Sequence, residues 1–390
     1  MKVIKFGGSS LASATQLEKV LNIVKSDPER RFVVVSAPGK RNDEDTKVTD
    51  ALIKYYKHYT KGVDVKADQE WIINRYQAMV DELGFKSTEM TKIAKSINDL
   101  ATLPIEDNDF LYDTFLAAGE DNNAKLIAEY FRNNGIEARY VHPRQAGIFV
   151  SSEPGNARIL PGAYDKLEEL RESDEVLVIP GFFGVTPDNQ ICTFSRGGSD
   201  ITGSIVSRAV RATCYENWTD VSGFLIADPR IIDNPKPIKT ITYRELRELS
   251  YMGAGVLHED AVFPVRKAGI PINIRNTNAP EDEGTWIVES TCHQSKYTIT
   301  GIAGKKGFVS VNIDKDMMNS EIGFGRKVLS AFEDNGISFE HMPSGIDTMT
   351  IFVHQPEFEG KEQAVISAIH RYAQPDSIEP VSYTHLTLPT

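Results

Sequence analysis

Two glycine-rich turns carry residue types that bind phosphate in proteins. Their sequences are Lys5-Phe6-Gly7-Gly8-Ser9 and Arg196-Gly197-Gly198-Ser199-Asp200. Each stands between an extended segment and a predicted helix start, where backbone N–H groups bind phosphate or carboxylate oxygens. A tight turn that needs glycine explains either motif alone, and neither is a P-loop or a dinucleotide-binding motif. Because Lys5 ends the first predicted strand beside its turn, its ammonium is placed to neutralise charge on a transferring phosphoryl group.

Alternating strand and helix patterns position these turns. Residues 3–6 and 32–36 are apolar runs of buried-strand length, and apolar side chains between 11 and 24 recur at helical spacing. Residues 50–103 carry only helix patterns and predict a helical excursion beside a sheet. The alternation then returns, with a helix after Glu120, strands at 138–141, 176–179, 213–217 and 272–275, and a helix from Ile201. This order predicts an α/β domain over residues 1–292, with a mostly parallel sheet sandwiched by helices.

The region after residue 299 follows a different pattern. Strand patterns at 308–313, 337–342 and 349–353 alternate with helix patterns at 323–335 and 361–372. A further strand at 377–383 completes the order βαββαβ of a ferredoxin-like domain, which we place at residues 299–380. Residues 381–390 form an atypical tail.

Composition and charge argue against several classes of protein. The 390 residues carry 43 Lys and Arg against 55 Asp and Glu, a formal net charge of −12 that disfavours a nucleic-acid partner. The apolar runs are too short for a membrane helix, and the apolar start ends at once in Lys5, which argues against a signal peptide. We therefore expect a cytoplasmic protein without a membrane partner. The three cysteines lie far apart, and their spacing predicts no zinc site.

Five motifs in order resemble those of the aspartate kinases, which belong to the amino-acid kinase family. They are the two turns above together with Ala117-Ala118-Gly119-Glu120, Trp218-Thr219-Asp220-Val221 and Asp228-Pro229-Arg230. The resemblance implies the amino-acid kinase fold and ATP-dependent phosphorylation of the β-carboxylate of L-aspartate to 4-phospho-L-aspartate. That reaction is the first step towards lysine, threonine and methionine. The substrates implied are L-aspartate and ATP, with Mg²⁺ held mainly by the ATP phosphates and no protein metal ligand assigned.

The resemblance also assigns roles to individual residues. Lys5 acts on the charge of the transferred phosphoryl group, and Asp200 orients Lys5 or the Mg²⁺ shell as the second catalytic residue. The residues assigned to ATP, besides Lys5, are Gly7, Gly8, Ser9, Thr219, Asp220 and Arg230. Those assigned to aspartate are Thr49, Glu120, Arg196 and Ser199, with Glu120 as partner of the α-ammonium. Two departures put ATP contacts in question, because Gly255 and Leu225 stand where relatives carry a lysine and a tyrosine.

The segment from Gly301 onward resembles the ACT regulatory domains of the same enzymes. The resemblance favours lysine as feedback inhibitor, bound by Met317, Ser320, Phe324 and Glu340, and implies a homodimer or higher homo-oligomer. Aspartate kinases of this type usually carry two ACT units. We therefore expect that the tail replaces most of a second, truncated unit.

Two other functions remain open. Another carboxylate kinase of the family, such as acetylglutamate kinase or glutamate 5-kinase, would share the turns, but the ACT-like unit and the Glu120 motif favour aspartate. A non-catalytic amino-acid sensor would keep the ACT-like unit, but Lys5 and Asp200 are both intact.

Overall fold

The computed structural model describes residues 1–105, 108–195, 197–251, 257, 259–290, 299–383 and 386–389. The chain divides into two compact units, Met1–Gly301 and Ile302–Thr390. We describe each unit by itself.

A large sheet forms the centre of the first unit. The described strands of the first unit are β1 (Lys2–Phe6), β2 (Arg30–Val35), β3 (Ala138–Tyr140), β4 (Val176–Pro180), β5 (Phe183–Val185), β6 (Ile191–Thr193), β7 (Cys214–Thr219), β8 (Thr240–Thr242), β9 (Ile272–Asn276) and β10 (Thr285–Val288). Of these, β5 and β6 form a separate hairpin. The sheet order is β3-β4-β2-β1-β7-β9-β10-β8. Neighbours from β3 to β9 run parallel, and β10 runs antiparallel to β9. Central parallel strands are covered on both faces, which explains why Ile4 and Val33 are fully buried.

Helices cover this sheet. They are α1 (Ala14–Lys25), α2 (Val48–Thr60), α3 (Lys66–Leu83), α4 (Met90–Asp99), α5 (Asn108–Asn133), α6 (Pro143–Ala146), α7 (Ala163–Glu168), α8 (Gly198–Ala209), α9 (Tyr243–Tyr251) and α10 (Phe263–Lys267). Short 3₁₀ helices lie at Gly8–Leu11, Leu100–Thr102, Glu169–Glu172 and Glu259–Val262. The predicted excursion at 50–103 consists of α2, α3 and α4, whose apolar faces share one core with α1 and α5.

Two predicted helix boundaries were wrong. The helix predicted after Glu120 begins at Asn108, so Glu120 lies in the middle of α5 rather than before its start. The helix predicted from Ile201 begins at Gly198, because the second glycine-rich turn already forms its first turn. Both errors came from reading glycine as a helix boundary.

A buried ion cluster joins the four central strands. The Glu216 side chain on β7 accepts hydrogen bonds from Arg30 Nε on β2 (2.8 Å) and from Trp218 Nε1 (2.9 Å). Lys2 Nζ on β1 lies 3.4 Å from Glu216 Oε1, and the Arg275 guanidinium on β9 lies 4.8 Å from the Trp218 ring centre. Glu216 is 2% exposed, so its charge is balanced inside the protein rather than by water.

The second unit contains β11 (Ile302–Lys305), β12 (Phe308–Asp314), β13 (Thr348–His354), β14 (Ser377–Tyr383) and β15 (Leu386–Pro389). Its helices are α11 (Phe324–Glu333), α12 (Gln355–Phe358) and α13 (Glu362–Ala373), with a 3₁₀ turn at Met318–Ser320. The sheet order β13-β12-β14 is antiparallel, and α11 and α13 pack on one apolar core with it.

One strand predicted in the second unit is irregular. Instead of a strand at 337–342, backbone hydrogen bonds join Glu340, His341 and Pro343 to β13 at its outer edge. With this edge segment, the order of elements is ferredoxin-like, as predicted. The segment predicted as a tail continues β14 to Tyr383, and β15 pairs antiparallel with β11.

Candidate active site

Lys5 and Asp200 form a close ion pair at one end of the parallel strands. Lys5 is 8% exposed near the end of β1, and its Nζ lies 2.6 Å from Asp200 Oδ1 in the first turn of α8. Asn217 on β7, which pairs with Lys5 across the sheet, donates from Nδ2 to the same oxygen at 2.8 Å. The positive end of α8 favours the Asp200 carboxylate. The two glycine-rich motifs, about 190 residues apart in the sequence, therefore meet at one point.

The first glycine-rich turn packs directly against the loop that follows β2. Gly7 N–H donates to Trp218 O (3.0 Å), and Gly39 N–H donates to Gly8 O (2.9 Å). A Cβ on Gly39 would lie 2.6 Å from the carbonyl carbon of Gly8, which leaves space only for glycine. Gly7 therefore uses its N–H in a hydrogen bond to Trp218 of β7.

A cleft of about 500 Å³ opens beside this turn. Its lining includes five residues predicted from the sequence, namely Gly8, Ser9, Thr49, Glu120 and Asp220. The remainder of the lining comes from the loop after β2 and was not predicted: Ser36, Ala37, Pro38, Gly39, Lys40, Arg41, Asn42, Asp43 and Lys47. One signal was present, since a loop at the carboxyl end of a parallel strand is a usual place for a ligand.

Glu120 presents an unsatisfied carboxylate oxygen. Its side chain is 6% exposed, its Oε2 has no hydrogen-bond partner in the protein, and the residue lines the cleft. Burial raises the pKa of Glu120 to about 8, although a hydrogen bond from the Ala37 backbone works in the opposite direction. Gly119 allows this placement, because a Cβ there would lie 2.9 Å from Ala37 Cβ. A buried carboxylate without a partner favours a cationic ligand.

Ser199 and Arg196 are two further residues predicted to bind aspartate. Ser199 is 8% exposed and packs against Gly181, where a Cβ would lie 2.6 Å from Ser199 Oγ. Arg196 lies outside the described residues, as does Gly255, so the structure does not place either one. The predicted aspartate contact of Arg196 stays a prediction.

The predicted nucleotide contacts divide into two groups. Thr219 Oγ1 donates to Asp220 Oδ1 (3.1 Å), and Asp220 lines the cleft. Arg230 does not line it. Arg230 donates to the Asp228 carboxylate from Nη2 (2.7 Å) and from its backbone N–H (2.8 Å), which forms an exposed local turn. Leu225 lies 37% exposed in the same part of the chain.

The residues predicted to bind an effector do not form one site within a chain. Met317 N–H donates to Asp347 Oδ1 just before β13, whereas Glu340 Oε1 lies 3.0 Å from His354 Nε2 at the other end of β13. These ends are about 20 Å apart at the usual rise of a strand. Ser320 Oγ donates to Met317 O at 2.8 Å. Phe324 is 3% exposed and packs in the apolar core of the second unit.

Within the ranges given above, no group of three or more His, Cys, Asp or Glu side chains converges as a metal site would require. Among the described helices, none has the length and apolar character to span a membrane.

Comparison with known proteins places the chain in a family. The model of the amino acid kinase family matches residues 1–276. Aspartokinase 3 of Bacillus subtilis is 47% identical over 97% of this chain and 83% of its own length. The chloroplastic aspartokinase 2 of Arabidopsis thaliana is 30% identical over 92% of this chain and 67% of its own length.

A solved structure agrees with these relatives. The crystal structure of Clostridium acetobutylicum aspartate kinase, described as an allosteric enzyme, has a TM-score of 0.87 at 43% identity. The match covers 100% of this chain and 86% of that one. The chain therefore belongs to the amino acid kinase family and, within it, to the aspartate kinases.

Proposed function

We propose that the cleft of the first unit binds L-aspartate and MgATP and transfers the γ-phosphoryl group to the aspartate β-carboxylate. The products are 4-phospho-L-aspartate and ADP. The observation that carries this proposal is the ion pair of Lys5 Nζ with Asp200 Oδ1 at 2.6 Å, which lies at the same end of the sheet as the unpartnered Glu120 oxygen.

Glu120 is suited to the substrate's α-ammonium group. Its buried Oε2 accepts no hydrogen bond from the protein, so an ammonium donor completes the carboxylate and balances its charge. We place Ser199 and Arg196 at the α-carboxylate and Thr49 at the cleft wall near the substrate. Acetylglutamate lacks a free ammonium group, so this arrangement disfavours it.

Lys5 supplies positive charge where negative charge develops in phosphoryl transfer. Asp200 forms an ion pair with Lys5, and Asn217 donates a hydrogen bond to the same Asp200 oxygen. The Lys5 ammonium is therefore oriented before the substrates bind. The aspartate β-carboxylate is already ionised at neutral pH, since a free Asp side chain has a pKa near ~3.9. The nucleophile therefore needs no general base, and the catalytic work is positioning and charge stabilisation.

The residues at the cleft fit a triphosphate. The lining includes Gly8 and Ser9 of the glycine-rich turn and the cationic Lys40, Arg41 and Lys47. When bound, Mg²⁺ neutralises phosphate charge, and we propose that it enters on the ATP phosphates, close to Asp200. Thr219 and Asp220 are proposed to contact the nucleotide.

An acyl-phosphate assay tests the proposed reaction. Purified protein with aspartate and MgATP should form an acyl phosphate that hydroxylamine traps as a hydroxamate. Parallel reactions with acetylglutamate and glutamate distinguish the other carboxylate kinases. Product from acetylglutamate or glutamate but not from aspartate would contradict the proposal, and no product from any of the three would favour a sensor.

We also propose that residues 299–380 are an ACT regulatory domain that binds lysine. The Glu340 side chain is 7% exposed and its Oε2 has no partner, which suits a cationic ligand. Met317 and Ser320 lie at the end of β13 opposite to Glu340. One effector can therefore contact Glu340 together with these two residues only where two chains meet. Lysine binding on this basis implies a homodimer.

A titration tests this regulation. Lysine should inhibit the parent protein, and Glu340→Gln should weaken that inhibition at least tenfold while leaving kcat without lysine within twofold. Threonine and methionine serve as comparison effectors. Equal lysine inhibition in both proteins would remove Glu340 from the site.

A further inference from the structure

Arg75 is a buried arginine of α3 that joins the segment after the first glycine-rich turn to the loop that follows β2. The residue is 5% exposed. Its Nη2 donates to Ala12 O (2.7 Å) and to Gly39 O (3.0 Å), and it lies 3.3 Å from Asp45 Oδ2. A guanidinium in such a position joins segments that are far apart in sequence through charge-assisted hydrogen bonds.

The two carbonyl acceptors belong to the segments that form the cleft. Ala12 directly follows the 3₁₀ helix Gly8–Leu11, which continues the first glycine-rich turn. Gly39 is the residue whose N–H donates to Gly8 O at 2.9 Å. Arg75 therefore adds a second connection between the turn and the loop besides the Gly39–Gly8 hydrogen bond, so neither can shift without breaking one of these hydrogen bonds.

Asp45 extends the connection into the charged part of the loop. Its Oδ2 accepts hydrogen bonds from Arg41 N–H (2.9 Å) and Nε (2.8 Å), and its Oδ1 accepts one from Arg41 Nη2 (3.0 Å). The Arg41 hydrogen bonds hold the pKa of Asp45 well below its usual range. Asp45 therefore stays ionised and links Arg75 to Arg41, which lines the cleft beside Lys40.

We propose that Arg75 is a positioning residue for phosphoryl transfer. Through Ala12, Gly39 and Asp45 it fixes the distance between the glycine-rich turn and the loop at 38–47, and so the placement of the loop's cationic side chains against the phosphates. This inference rests on the proposed function for its kinetic consequence, but the fixing of the loop is a property of the protein alone. Arg75 thus serves the reaction from α3 without lining the cleft itself.

Kinetics test the inference on the full chain. Arg75→Met removes the donors at similar volume, and a misplacement of about 1 Å costs up to ~100-fold in rate. We expect kcat/KM for ATP to fall about 100-fold, and Arg75→Lys, which keeps a charged donor, to recover part of the loss. Arg139→Met is the matched control, because Arg139 on β3 forms a half-exposed ion pair with Glu175. The control should stay within twofold of the parent.

Limited trypsin digestion gives a readout that does not depend on activity. Lys40, Arg41 and Lys47 are trypsin sites in the loop, and none of them is changed in the variants. Cleavage there should be about tenfold faster in Arg75→Met and unchanged in Arg139→Met. Saturating ATP and aspartate should slow this cleavage in the parent protein.

The outcomes separate the two proposals. If the parent forms no acyl phosphate, the proposed function fails, while faster loop cleavage in Arg75→Met still supports the positioning role. Folded Arg75→Met with kcat/KM within twofold of the parent, or with unchanged loop cleavage, would overturn the inference. If Arg75→Met does not fold, Asp45→Asn decides the matter, with an expected tenfold loss of kcat/KM and faster loop cleavage.

Discussion

The protonation of Glu120 should make aspartate binding strongly dependent on pH. The carboxyl group is buried, its pKa is raised to about 8, and one of its oxygens has no partner. An ammonium ligand binds the ionised form. With a pKa of about 8, roughly one tenth of the groups are ionised at pH 7 and about half at pH 8. Ionising Glu120 for binding at pH 7 therefore costs about 1.4 kcal/mol.

This cost sets the expected magnitudes. KM for aspartate should fall roughly tenfold from pH 6 to pH 7 and about fivefold from pH 7 to pH 8, while KM for ATP stays nearly constant. Glu120→Gln cannot ionise, so its KM for aspartate should be flat over this range. At pH 8 it should exceed the parent value by at least ~6-fold, because a hydrogen bond to a charged group contributes about 1.5–3 kcal/mol and half of the parent groups are ionised at that pH.

A coupled assay of ADP formation between pH 6 and pH 8 measures these constants. The aspartate concentration is varied at saturating MgATP, and doubled coupling enzyme at each pH checks that the assay itself is not limiting. The variant also reports which effect dominates, since a raised KM with unchanged kcat indicates lost ground-state binding. A parent KM that does not change with pH, or the same pH dependence in Glu120→Gln, would refute the reasoning.

Four further outcomes follow from the same contacts. Lys5→Met should lower kcat by about 10²–10³-fold with little change in KM, because it removes charge stabilisation of the transition state; an unchanged kcat would exclude that role. Gly39→Ala should lower kcat/KM by up to ~100-fold, since its Cβ would lie 2.6 Å from Gly8; parent-like kinetics would show that the loop yields freely. Arg230 does not line the cleft, so its nucleotide role rests on the family resemblance; on that basis Arg230→Ala should raise KM for ATP several-fold without changing the melting temperature, since its pair with Asp228 is exposed; an unchanged KM would contradict that role. Finally, the raised pKa of Glu120 means that its contribution to stability is fully present below about pH 4.5 and is lost as the pH rises through 8. Thermal unfolding of Glu120→Gln should therefore show a gain over the parent that grows from pH 5 to pH 8, and a constant difference would contradict the raised pKa.

Much of the first unit was predictable because its central strands are apolar on both faces. The runs at 3–6 and 32–36 correspond to β1 and β2 within a few residues, and the predicted amino-acid kinase fold and aspartate kinase family are confirmed. The boundary of α5 was not predictable, because Gly119 reads as a helix break. Its actual role is close packing against Ala37, a contact that only the tertiary structure shows.

The site was predictable only where the residues carry a motif. Lys5, Asp200 and Glu120 lie in short, recognisable sequences, and the structure gives two of them a direct contact. The loop at 38–47 reads as a charged surface segment until the sheet places it beside Gly8. Arg75 gives no signal at all, since its partner Ala12 lies 63 positions away along the chain.

The ion cluster around Glu216 constrains how this sheet can vary. Its members come from β1, β2, β7 and β9, and each contact depends on the present alignment of those strands. Removing one partner of a buried pair costs about 3–5 kcal/mol, whereas replacing the whole set by apolar residues costs far less. Arg30 and Glu216 should therefore be inherited and exchanged together. A chimaeric enzyme that takes β2 from one relative and β7 from another will be viable only when both donors carry matching halves of this cluster.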